Sequence, residues 1–390
     1  MQESLDVIKQ KQTSSAPLRY ASLDHWRGVA ALGVMMFHSF GAIRMAGQSV
    51  HPSIQWLKWS SDFGWFGVHL FFVISGYCIA ANVYHLVQHR LSPLDFLKDR
   101  LLRIYPTYWG ACLFALVLAL VSMPFNHTSL AHNLPSSLGE AAANILLVEP
   151  YAGVSPFLLV SWSLVYELGF YVLVAVGFAL ERAGMRFSWV LVAAITLGFL
   201  GLFGPWKGAL SILNFWPEFL TGSMVFIALW LNVRGIESAR LLLLVPVAFA
   251  VTGIFTLPNL ERIGQMLGAS LFALALYFLH PFDYRIANWY PLTWLAWVGA
   301  FSYSLYLVHV PLGRVINLGS RVIPHNSVWF VCLVVGHWIV GIAVAWTFYK
   351  FCEQPLERWR HRLRRRTASI VVSRDFSRNV TQASTPENSG

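Results

Sequence analysis

Arg27 and His38 stand in one apolar stretch, Leu23 to Phe40 (LDHWRGVAALGVMMFHSF), eleven positions apart. At about 100° per residue an eleven-residue step ends roughly 20° beyond three full turns, so both side chains project from one helix face, roughly 16 Å apart along its axis. Every residue between them, from Gly28 to Phe37, lacks a group that could satisfy a buried charge. Their partners must come from other helices. An ionisable side chain in a membrane span costs about 2.5–3.5 kcal/mol even on the lenient insertion scale, which makes each a functional candidate. The chemistry on offer is anion binding by the guanidinium and proton transfer by the imidazole.

Further candidates follow along the chain. His69 and Ser75 lie in DFGWFGVHLFFVISGYCIAAN, whose Gly64, Gly67 and Gly76 allow close approach of another helix or of a ligand. Arg100 and Arg103, three apart, share a face just before Pro106. They read either as an anion site or as an ordinary positive-inside anchor. Ser163 and Glu167 are one turn apart in SWSLVYELGFY, and Glu218 sits beside a kinking Pro217 in NFWPEFLTG. AFSYSLYLVHVPLG places a run of hydroxyls, among them Ser302, Tyr303 and Tyr306, ahead of His309. These hydroxyls serve equally well as helix-to-helix hydrogen bonds or as groups at a reacting centre. His337 is a weaker candidate of the same kind as His309.

The elements that carry these residues are membrane helices. The 390 residues are 56% hydrophobic and 12% charged, where a soluble domain has about 25% charged residues. Apolar runs of spanning length give an all-α, polytopic membrane protein with about ten spans, at 22–42, 63–83, 107–124, 159–180, 188–205, 209–231, 241–257, 263–280, 292–316 and 327–349. Lys9, Lys11, Arg19, Arg90, Lys98, Arg100, Arg103, Arg182, Arg186, Arg234, Arg240, Arg285 and the basic tail crowd one side; only Arg44, Lys58, Lys207, Arg262, Arg314 and Arg321 fall on the other. The positive-inside rule places both termini in the cytoplasm. The net charge of +10 therefore reports topology and a preference for the bilayer surface rather than nucleic acid. The first twenty residues lack the apolar core of a cleavable signal peptide. The four cysteines suggest neither a disulfide framework nor a metal site. The organisation expected is a cytoplasmic segment at 1–20, a membrane domain at 21–355 and a basic, largely disordered tail at 356–390, with Glu353 and Pro355 ending the last helix. The longest outer loop, about 123–158, is placed to cover a site or touch an acceptor.

Counting about 1.5 Å per residue from the expected helix ends puts His38, His69, Glu167, Glu218 and His309 in the outer half of the bilayer, and Arg27, Arg100 and Arg103 at the inner boundary. A cationic layer below a titratable layer suits a reaction between a cytoplasmic anionic donor and an acceptor from outside. In that scheme His38 is the general base and Glu167 the candidate to orient it, a pairing that requires the first and fourth spans to meet.

Taken in order, Arg27 with His38, GVHLFFVISGY at 67–77, RLLRIYP at 100–106, WSLVYE at 162–167, FSYSLYLVH at 301–309 and EQP at 353–355 resemble membrane-bound acyltransferase family 3, integral-membrane O-acyltransferases that modify glycans, lipopolysaccharide or macrolides. The resemblance implies that the first-helix arginine and histidine and the arginine pair are required. It implies acyl-CoA as donor substrate with acetyl as the expected group, a hydroxyl of a cell-surface glycan or its lipid-linked precursor as acceptor, and a multi-pass location in the cytoplasmic (inner) membrane with no permanently bound cofactor. Many relatives carry an acid where this chain has His69, so no acid's role transfers there. Some relatives append an extracytoplasmic hydrolase-like domain; none is evident here, so transfer falls to the membrane domain or a separate partner. Acylation of a macrolide or other small molecule is the alternative within the family. A proton-coupled transporter is the alternative outside it, though the chain shows no paired repeat.

Overall fold

A backbone crossing hydrocarbon finds no water to bond, so each segment must close its own hydrogen bonds, and for these apolar runs that means helices. The computed structural model describes residues 20–45, 55–89, 91–126, 134–320 and 326–363, and among them every regular element is helical. The expected segment at 1–19, Arg90, part of the outer loop and the tail beyond 363 lie outside the described residues. The principal helices are α1 (Leu23–Met45), α2 (Gly67–Gln88), α3 (Pro93–Asn126), α4 (Leu138–Ile145), α5 (Ser161–Arg182), α6 (Phe187–Leu202), α7 (Trp216–Val233), α8 (Leu244–Thr256), α9 (Leu260–Leu279), α10 (Thr293–Ala300), α11 (Ser302–Ser320) and α12 (Ser327–Phe348).

The span count differs from the ten expected. Among the described residues six helices are long and apolar enough to cross a membrane, or up to eight if each of two bent pairs counts as one span. The difference has identifiable sources. α6 is apolar but only 16 residues long, and α1 is diluted by Asp24, His25, Arg27, His38 and Ser39. The stretch expected as one span at 292–316 bends by 70° between α10 and α11, and a 3₁₀ turn at Gly208–Asn214 meets α7 at 45°.

α2 holds the centre, packed on α1 and on α7. All three expected close-approach glycines, Gly64 in the 3₁₀ turn just before α2 and Gly67 and Gly76 within it, serve helix contacts. Cβ atoms built on Gly64 and Gly67 would meet Gly33 O and Ala30 O of α1 at 2.1 and 2.3 Å, and one on Gly76 would meet Phe219 O of α7 at 1.8 Å. Gly222 answers from α7, where a Cβ would fall 1.9 Å from Val73 O. Backbone cannot yield as a side-chain tip can, so Gly76→Ala and Gly222→Ala should each destabilise by about 1–3 kcal/mol. A lower melting temperature of the detergent-solubilised variants is the readout; an unchanged one would mean that the seam can open without cost.

The outer loop behaves unexpectedly. Instead of staying near the end of α3 at Asn126, the segment around α4 returns along that helix. Tyr105 OH donates to Leu146 O at 2.7 Å, Tyr108 OH to Asn144 O at 2.9 Å and Trp109 Nε1 to Ile145 O at 3.0 Å. Tyr108 lies eighteen residues before Asn126, roughly 27 Å of helix. Consequently α5 begins far from the Asn126 end of α3, its Ser161 Oγ donating to the buried Glu149 at 2.5 Å.

The C-terminus also departs from expectation. Pro355 does not end the last helix: a π turn at Tyr349–Glu353 follows α12, and helix resumes over 354–363. The wider π turn accommodates a proline that has no N–H to give.

Candidate functional site

Between α2, α3, α5 and α11 lies a cavity of about 100 Å³, with Arg27 of α1 on its wall. Nine of the candidates line it: Arg27, Ser75, Arg100, Arg103, Ser163, Glu167, Ser302, Tyr303 and Tyr306. Arg27 donates through Nη1 to Asp24 Oδ1 at 2.9 Å and through Nη2 to Cys78 Sγ at 3.3 Å. Arg100 is buried, with its guanidinium carbon 5.8 and 6.0 Å from the ring centres of Phe96 and Tyr171. Among the described residues no hydrogen bond or ion pair fixes the Arg103 guanidinium, which lies within Coulombic reach of Tyr171 and Glu167. The two arginines, three apart on α3, thus face the cavity together as the sequence spacing required.

Glu167 does not meet His38. Its carboxylate accepts from Ser75 Oγ at 2.9 Å and from Tyr171 OH. The folded-back loop is the reason: starting α5 so far back along α3 puts Glu167 beside the arginines on the cavity wall and not with His38. The pairing expected between the first and fourth spans therefore gives way to one between α1 and α11.

That pairing is His38 with His309. His309 Nε2 lies 3.1 Å from His38 Nδ1. His38 Nδ1 is also 3.0 Å from Val34 O, and His309 Nδ1 is 2.9 Å from Leu305 O. A carbonyl only accepts, so each Nδ1 must carry a proton. The single His38 Nδ1–H is then shared between Val34 O and His309 Nε2, and the basic lone pair of His38 is left on Nε2. The orienting group of this arrangement is a neutral imidazole instead of a carboxylate. His309 is fully buried, and His337 Nε2 lies 3.3 Å from its carbonyl oxygen, which holds α11 to α12.

Tyr306 links the pair to the cavity. It lines the cavity, its ring centre is 6.1 Å from that of His309, and its hydroxyl is 2.7 Å from Ser163 Oγ. Tyr303, one turn below, lines the cavity too and donates to Ile104 O at 3.1 Å. The cavity thus runs from guanidiniums, past a carboxylate, to hydroxyls; His38 and His309 do not line it, and His309 stands behind Tyr306, one turn further along α11.

His69 and Glu218 form a separate unit. His69 Nδ1 is 2.7 Å from Glu218 Oε2, both side chains are 3% exposed, and neither lines the cavity. Glu218 occupies the first turn of α7, where the helix dipole favours a negative charge. The pair ties α2 to α7 beside the glycine seam.

Sequence reasoning missed several supports. Glu353 accepts from the Ser304 backbone N–H at 3.2 Å and from its hydroxyl. It therefore caps the first turn of α11 from 49 residues away. Cys78, Tyr171, Asp99 and Arg360 are not singled out by motif or spacing. Only the EQP motif hinted at Glu353.

Residues 20–350 match the family model described as an acyltransferase domain. The chain belongs to acyltransferase family 3. It is 29% identical over 325 residues to the exopolysaccharide production protein ExoZ of Rhizobium meliloti, an alignment covering 78% of this chain and 93% of that relative. No solved structure matches. With its apolar helices, this acyltransferase is an integral membrane protein.

Proposed function

We propose that this protein transfers a short acyl group, acetyl by preference, from cytoplasmic acyl-CoA to a hydroxyl of an exopolysaccharide or its lipid-linked precursor. The observation that carries the reading is the cavity that Arg27, Arg100 and Arg103 share with Tyr306, behind whose ring, outside the cavity lining, stands the His38–His309 pair. The likeness to a protein of exopolysaccharide production supports the acceptor class.

The arginines hold the donor's phosphates, since planar guanidinium forks match phosphate oxygens. The thioester then lies along the chamber towards Tyr306. His38 Nε2 takes the acceptor hydroxyl proton as that oxygen attacks the thioester carbonyl, and His309 holds the ring through Nδ1–H. The new C–O bond forms, the C–S bond breaks, and the proton passes from His38 to the departing CoA sulfur. The hydroxyls of Tyr306, Tyr303 and Ser163 line the cavity there, and would serve the oxygen that gains charge by turning from their present acceptors, Val160 O and Ile104 O.

The arrangement requires the arginine end to face the cytoplasm, and one experiment tests orientation and donor together. Acyl-CoA labelled in the acyl group and added outside sealed vesicles should label glycan in inverted vesicles and not in right-side-out ones. Equal labelling in both would refute the orientation. Solute flux without CoA release would favour a transporter.

A further inference from the structure

Asp99 immediately precedes Arg100 on α3, a carboxylate placed where it could claim that arginine's charge. Arg360, on the helix 354–363, shares it: Arg360 Nη1 is 3.4 Å and Arg100 Nη2 3.7 Å from the same oxygen, Asp99 Oδ2. All three side chains are at most 7% exposed. The Nε–H groups of both arginines are buried and have no hydrogen-bond partner. Two buried guanidiniums against one carboxylate leave a positive charge over; Arg103 and Glu357 both lie within Coulombic range of Arg360 and act on it with opposite signs. Buried surplus charge with unmet donors is costly unless an anion arrives.

Arg360 stands out from its neighbours only by burial. In RWRHR, Arg358 and Arg362 are exposed, and Arg358 bonds Gln354 at 2.7 Å. Arg100 lines the cavity, whereas Arg360 does not. We infer that Arg360 is a positioning residue of the donor site: by occupying Asp99 it keeps the Arg100 guanidinium available to a phosphate of the donor. The inference rests on the acyl-CoA reading above and extends the site into the cytoplasmic helix.

The test uses the full-length chain in detergent, measuring acetyl-CoA binding and both Michaelis constants. Arg360→Ala should weaken acetyl-CoA binding and raise its KM roughly tenfold, with kcat and the acceptor KM little changed. Arg360→Lys should recover part of the loss. The double variant Asp99→Asn/Arg360→Ala should bind acetyl-CoA close to wild type, because no carboxylate then competes for Arg100. If Arg360→Ala fails to fold, the double variant alone decides, since it removes the stranded carboxylate. A folded double variant as weak as Arg100→Ala would overturn the inference. So would equal loss in donor and acceptor KM. Wild-type protein that does not bind acetyl-CoA would defeat the donor reading itself, whereas wild-type binding with an unaffected Arg360→Ala would defeat only the role of Arg360.

Discussion

Alanine in place of His38 is expected to lower acyl transfer roughly 10²–10⁴-fold while leaving acyl-CoA binding largely intact, the range typical of a lost general base. The direction follows from the carbonyls that set the tautomers. Val34 O and Leu305 O hold both Nδ1 protons, so the only basic nitrogen of the pair that is not engaged in their mutual hydrogen bond is His38 Nε2. His309→Ala should cost less, because it removes the orienting partner and leaves the base. Glu167→Gln should also be milder, its carboxylate being held by Ser75 and Tyr171 at the donor end. Turnover by a folded His38→Ala protein within a few-fold of wild type would end the assignment. A larger loss in His309→Ala than in His38→Ala would reverse the two roles.

The second large effect is on the donor. Arg100→Ala and Arg103→Ala should each lose roughly 1.5–3 kcal/mol of acyl-CoA binding, the value of a hydrogen bond to a charged group. That is roughly a 10- to 150-fold rise in Kd. Acceptor affinity should move far less. Arg103→Lys should restore the charge but not the fork, and so recover only part of the binding. Calorimetry with acetyl-CoA on the correctly inserted variants reads this directly, and unchanged binding in both alanine variants would move the donor pocket elsewhere.

What the sequence made legible depended on how far apart the cooperating residues are. Arg100 and Arg103 share a helix face by spacing alone, and that face is the one on the cavity. Arg27 and His38 share a helix, and both turn inward, one to Cys78 and the other to His309. Glu167 was misplaced because depth was counted from the end of an outer loop assumed to stay outside. Hydrogen bonds from Tyr105, Tyr108 and Trp109 draw that loop back along α3, and no local periodicity encodes them. Arg360 was hidden for a related reason: in a run of arginines, composition cannot say which one is buried. The helix count suffered from α1 itself, where the residues that make the site are the ones that dilute its apolar character.

Glu353 carries a consequence for biosynthesis. α11 bears Tyr303, Tyr306 and His309, and its first turn is capped by a carboxylate from the end of the final helix. A nascent chain that has threaded α11 into the bilayer still lacks that acceptor for the Ser304 amide. The ribosome must complete nearly the whole membrane domain, and the last span must seat, before the helix that positions the imidazoles acquires its cap.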